Sequence, residues 1–102
     1  MTPAFSVFYT AHFGREYKKL ATRHPDLPRH YARLVEILQA DPYNHTRQYA
    51  IKKLEGIPAG EGQWRIRAER FRFRYDIEGQ KVYLKACALR DEATYRPTAV
   101  DG

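Results

Sequence analysis

Trp64-Arg65-Ile66-Arg67-Ala68-Glu69-Arg70-Phe71-Arg72-Phe73-Arg74-Tyr75-Asp76-Ile77 alternates apolar and charged side chains, with one interruption at Glu69-Arg70. Successive side chains of a strand point to opposite faces, so this pattern predicts two half-buried strands joined by a tight turn. One face carries Trp64, Ile66, Ala68, Phe71, Phe73, Tyr75 and Ile77 and belongs on a core. The opposite face carries Arg65, Arg67, Arg72 and Arg74.

Downstream, Glu78-Gly79-Gln80 is a turn signal. Lys81 to Leu89 reads as a last strand, with Val82, Leu84, Ala86 and Ala88 on one side and Lys81, Tyr83, Lys85 and Cys87 on the other. Upstream, Pro58, Gly60 and Gly62 punctuate a loop, and Tyr43 to Gln48 is polar and loop-like. Before that the apolar period changes to that of a helix. Phe13, Tyr17, Leu20 and Ala21 form one stripe within His12 to His24, and Pro25 stops it. Tyr31, Leu34, Val35 and Leu38 form a second stripe, entered through Asp26-Leu27-Pro28 with Asp26 as candidate cap, and left at Asp41-Pro42. Phe5 to Thr10 is short, aromatic and β-branched, and suits an opening strand in the same sheet. The expected architecture is α+β: strand, helix, helix, then an antiparallel meander of three strands, with the helical hairpin on one face of a small sheet.

The 102 residues make one domain, with residues 97 to 102 expected to be a frayed tail. Cys87 is the single cysteine, which excludes an internal disulfide framework, and no metal-ligand spacing occurs. It has no adjacent His and reads as an inert strand cysteine. His12, His24, His30 and His45 read as surface or cap residues. Without a signal-peptide pattern or a long apolar run, the chain is expected to be soluble, cytoplasmic and without a membrane partner. Twelve of its 18 Lys and Arg residues are Arg, and the net charge of +6 points to a polyanion.

The strand pattern gives that charge a location. Five Arg fall between positions 65 and 74, and four of them share one sheet face. Like charges opposite one another destabilise a sheet, so the cluster is costly unless an anion sits on it. Arg suits bidentate phosphate contact and does not discharge by losing its proton. Lys85 and Tyr83 extend this face, Tyr83 either as a base-stacking residue or as an ordinary surface tyrosine. The competing interpretation is a solvated face partly neutralised by Glu69, Asp76 and Glu92. Trp64 shares parity with Ile66, which favours core packing over base stacking.

Lys53-Leu54-Glu55-Gly56, Gly62 to Arg67, Phe71 to Ile77, Val82-Tyr83-Leu84, Arg90 and Thr94-Tyr95 together resemble the RelE/ParE superfamily of bacterial toxins. The resemblance covers nearly the whole chain and implies a RelE-like fold. It also implies the toxin half of a type II toxin–antitoxin module, held by a cognate antitoxin protein. RelE-type members are ribosome-dependent endoribonucleases that cut mRNA in the A site. ParE-type members share the fold and inhibit DNA gyrase without nuclease activity; that is the alternative function. The RelE reaction is attack of a 2′-hydroxyl on its adjacent phosphate, and it requires no metal or small-molecule cofactor.

Position by position, the resemblance places the family's catalytic group on Arg65, Arg67, Arg72, Arg90 and Tyr95. Arg72 and Arg90 would clamp the scissile phosphate, and Arg65 or Arg67 would position the RNA. Tyr95 would be the base or would stack on the substrate. Positions 65 and 67 are usually Lys in RelE, and Arg is a poor proton donor or acceptor at neutral pH. Lys52, Lys53 and Lys85 are therefore further candidates for proton transfer. Lys52, Lys53, Arg74, Tyr83 and Lys85 complete the expected RNA-binding surface, with mRNA and ribosomal RNA as partners.

Overall fold

A computed structural model describes residues 4–90. The element order is β1 (Ser6–Tyr9), α1 (Ala11–Arg23), α2 (Leu27–Ala40), β2 (Ile51–Lys53), β3 (Trp64–Ala68), β4 (Phe71–Glu78) and β5 (Lys81–Leu89). The strands form one sheet in the order β1-β5-β4-β3-β2. β1 pairs with β5 in parallel and all other pairs are antiparallel. The α+β class and the helical hairpin are those expected. One strand more than expected is present: β2 adds Ile51↔Ile66 and Lys52↔Arg65 to the edge of the meander. At three residues it is too short to give a readable period.

The helices lie on the apolar face. Phe13, Leu20, Leu27, Leu34 and Leu38 meet Ile66, Phe71, Phe73, Tyr75, Val82 and Leu84, all buried. α1 begins where Thr10 Oγ1 accepts the Phe13 N–H at 3.1 Å, satisfying one of the helix's unpaired donors. Asp26 stands at the start of α2 but makes no capping bond with its side chain. Its carboxylate turns instead to Arg70 at 2.8 Å and His30 at 3.4 Å, fastening the helical turn to the β3–β4 turn. The hydrogen bond from Arg70 is the main reason its pKa lies below the ordinary carboxylate value. His24 joins the same tie, with Nδ1 3.1 Å from Arg70 Nη2, and both His24 and His30 lean on the Phe71 ring.

β5 departs from the expected alternation. A bulge shifts its register, so Tyr75 faces Leu84 while Arg74 faces Ala86. The extra residue is Lys85, and beyond it the faces exchange. Cys87, opposite Phe73, joins the core, whereas Ala86 and Ala88 lie opposite Arg74 and Arg72. Burial is the first cause, and the Glu16 carboxylate the second, of a Cys87 thiol pKa raised to about 12. β1 ends opposite Leu84, leaving that edge of β5 open, and the Cys87 N–H there finds Glu16 Oε1 at 3.1 Å.

Where α2 ends, the Tyr75 hydroxyl donates to the Pro42 carbonyl at 2.7 Å. Asp41, 7% exposed, accepts from His45 N, Thr46 N and Thr46 Oγ1 at 2.8, 3.0 and 2.7 Å. Burial opposes its ionisation, but these hydrogen bonds together prevail and hold its pKa below the ordinary value. A carboxyl depressed in the folded state contributes stability above its unfolded pKa and loses it as pH falls through the folded pKa. Asp41→Asn is therefore expected to lower the melting temperature at neutral pH. The difference should vanish in acid, as measured by thermal melts across that range.

Candidate functional site

Trp64 is half-buried, stacked on Tyr75 and edge-on to Tyr43, so it belongs to the core layer as its parity implied. The opposite face of the sheet has no helix above it among the described residues. Arg65 stands opposite Arg74 and Arg67 opposite Arg72, two like-charged cross-strand pairs side by side. Such partners have Cβ atoms about 5 Å apart. Among the described residues no carboxylate is paired with Arg65, Arg67 or Arg72. Desolvation first, and the neighbouring guanidiniums second, lower the pKa of Arg65 and Arg72; the charges facing Arg72 are Arg65, Arg67 and Arg90. Both remain cations at any physiological pH.

The alanines that the bulge brings to this face leave space between the arginines. A cleft of about 60 Å³ is lined by Arg65, Arg72, Arg74, Ala86, Cys87 and Ala88. Arg65 Nε and Arg72 Nη1 are buried and have no hydrogen-bond partner among the described residues. Buried donors are ordinarily paired, and leaving one unpaired costs about 1–3 kcal/mol. Arg65 and Arg72 both line this cleft, and guanidinium is the side-chain group suited to paired contact with a phosphate.

Arg74 is differently engaged. Its Nε donates to Gly62 O at 3.1 Å and its Nη2 to Glu61 O at 2.6 Å. Asp76, 7% exposed, holds the same loop by accepting from Gly62 N and Gln63 N, each at 3.0 Å. Gly62 has φ +82°, and a Cβ there would come within 3.0 Å of Arg74 Cβ. Asp76 thus anchors the loop, with Lys85 Nζ 3.8 Å away, instead of neutralising the arginine cluster. Glu69 sits exposed in the β3–β4 turn.

The other expected residues divide between faces. Lys52, opposite Arg65, extends the cationic row to the sheet edge. Lys53 is opposite Trp64, with its ammonium 5.8 Å from that ring, on the other face. Arg90 follows Ala88 on the arginine side, and its N–H donates to Arg70 O at 2.8 Å. Tyr83 and Lys85 are on the arginine face, with the Lys85 ammonium 5.8 Å from the Tyr83 ring centroid. Tyr95, Glu92 and the tail from 97 to 102 lie outside the described residues. Phe8 also reaches this face, a residue that sequence reasoning had only as part of an opening strand. Its register with Tyr83 depends on a parallel pairing between distant segments, which no local pattern reveals.

A larger pocket of about 300 Å³ lies elsewhere, between β1 and the helices, lined by Tyr9, Phe13, Gly14, Tyr17, Lys18 and Tyr31. It presents aromatic rings and one ammonium group, which do not form a phosphate clamp. Among the described residues no helix is long and apolar enough to cross a membrane.

No family model matches the sequence, and no curated protein matches it. Among solved structures, a chain of the archaeal RelE–RelB complex from Pyrococcus horikoshii OT3 is similar in backbone, with a TM-score of 0.63 and 19% identity. The match covers 85% of this chain and 96% of that one. The fold of this chain is RelE-like.

Proposed function

We propose that the chain is the toxin of a type II toxin–antitoxin module and acts as a ribosome-dependent endoribonuclease on mRNA in the A site. The observation that carries this reading is the cationic sheet face, where Arg65 stands opposite Arg74 and Arg67 opposite Arg72, with no carboxylate among the described residues paired to Arg65, Arg67 or Arg72. The likeness to a chain of a RelE–RelB complex supports the toxin assignment and a cognate antitoxin as partner.

In the proposed reaction an RNA 2′-oxygen attacks its adjacent phosphorus. A 2′-O–P bond forms, the P–O5′ bond breaks, and the products are a cyclic phosphate and a 5′-hydroxyl. A base takes the 2′-hydroxyl proton and an acid supplies one to the 5′-oxygen. Charge gathers on the non-bridging oxygens, where preorganised cations act most strongly. Arg72 and Arg90 clamp that phosphate, and Arg65 and Arg67 orient the strand. Lys52, the register partner of Arg65, follows the backbone of the same strand in this reading. Tyr95 is proposed as the base on its resemblance alone, and cytoplasmic ribosomes are the setting.

Primer extension on mRNA translated in a cell-free system tests this reading. Codon-positioned cuts are expected with the purified chain, and poor cutting of naked RNA. Intact mRNA together with loss of gyrase supercoiling would overturn it in favour of a gyrase inhibitor.

A further inference from the structure

Among the described residues, Phe8 and Tyr83 are aromatic residues of the open sheet face. Phe8 is 44% exposed, and among the described residues the buried core lies on the other side of the sheet. The two are register partners of β1 and β5, with ring centroids 5.6 Å apart and planes inclined by 25°. Alternation puts Val7 and Tyr9 toward the helices and Phe8 toward the arginines. Lys85 stands between the rings and the cleft, its ammonium reaching both the Tyr83 ring and the Asp76 carboxylate. At about 3.3 Å per residue, Tyr83 lies roughly 10 Å along β5 from Ala86 at the cleft. Cations in a row ending on stacked rings match a single nucleic-acid strand, whose phosphates meet the cations while its bases meet the rings.

We propose that the Phe8–Tyr83 pair is a stacking platform for an unpaired nucleobase adjoining the phosphate held at the arginine cleft. This rests on the nucleic-acid reading above and gives the bound strand a direction, from β3 and β4 toward the β1 edge. The base is gripped by its face, so the platform accepts any base and does not read sequence. Lys85 meets the phosphate that links this nucleotide to the clamped one. A purely structural role, strengthening β1–β5 pairing by a cross-strand aromatic contact, predicts lost stability with unchanged binding.

The test uses a short single-stranded RNA made uncleavable by 2′-deoxy substitution and carrying 2-aminopurine at successive positions. With the wild-type chain at low salt, quenching confined to one or two positions is expected. An abasic nucleotide at the quenched position should weaken binding by about tenfold. Phe8→Leu and Tyr83→Leu retain apolar bulk and should weaken binding by a similar factor, leaving the salt dependence of affinity unaltered. Lys85→Met should reduce that dependence by about one phosphate contact. Equal affinity for the abasic and intact strands overturns the platform but leaves the nucleic-acid reading standing. A wild-type chain that neither binds the strand nor cuts translated mRNA overturns both. Normal binding by folded leucine variants leaves the rings a structural role in β1–β5 pairing and overturns the proposal.

Discussion

Replacing Arg72 by methionine is expected to make the folded chain more stable while abolishing its proposed activity. Methionine keeps much of the unbranched stem but removes a cation directly opposite Arg67 and a buried donor without a partner. Relief of a like-charged cross-strand pair contributes about 0.2–1 kcal/mol, and removal of an orphaned donor about 1–3 kcal/mol. Lost stem packing offsets part of this, leaving a gain of about 1–2 kcal/mol. For a domain of this size each kcal/mol raises the melting temperature by about 4–8 °C.

The gain should shrink as salt screens the cluster. Cleavage of translated mRNA should fall by about 10²–10³-fold, the range seen when one preorganised charge-stabilising donor is removed. Inorganic phosphate or pyrophosphate should raise the melting temperature of the wild type more than that of the variant, because a ligand stabilises the state it binds. Thermal melts at low and high salt, with and without the anion, check each element. An Arg72→Met chain with unchanged stability and unchanged cleavage would mean that the cationic face is only a solvated surface.

The second large effect concerns the loop that closes over Arg74. Asp76→Ala removes the acceptor of the Gly62 and Gln63 N–H groups and leaves the buried Gly62 donor unmatched. Hydrogen bonds to a charged group are worth about 1.5–3 kcal/mol each, and the expected loss is about 3 kcal/mol after partial relaxation. Arg74, which donates to Glu61 and Gly62 carbonyls, loses its fixed partners when the loop opens. Amide exchange at positions 62 and 63 should accelerate by about a hundredfold, reporting opening of this segment. Asp76→Asn keeps one acceptor oxygen and should fall between the two.

Gly62→Ala should reproduce the loop defect without touching the carboxylate. A left-handed φ costs an L-residue about 1–2 kcal/mol, and its Cβ crowds Arg74 Cβ as well. Unchanged exchange at residues 62 and 63 in both Asp76→Ala and Gly62→Ala would refute this account of the loop.

Most of the layer structure was legible because β3, β4 and the two helices each bury one face and leave the other in water. Their periods of two and 3.6 are therefore written in the residues. Trp64, Ile66, Phe71, Phe73 and Tyr75 were assigned to the core side and lie there. Local chemistry favours Asp26 as a cap, but a partner 44 positions away, Arg70, takes its carboxylate instead. Unbroken alternation through Lys85 predicts the opposite faces for Cys87 and the two alanines from those they occupy. Nothing in Leu84-Lys85-Ala86 announces a bulge, since its cause is the register with β4.

The sequence by itself determined that four arginines share one face of a β-hairpin, because side-chain direction along a strand is a local property. Tertiary structure decided which of those charges remain available. It committed Arg74 to a loop, carried Lys53 to the other face, set Ala86 and Ala88 opposite Arg74 and Arg72, and brought Phe8 beside Tyr83. Each of these depends on register between segments distant in sequence. Register is set by how the whole core packs, and no local pattern encodes it.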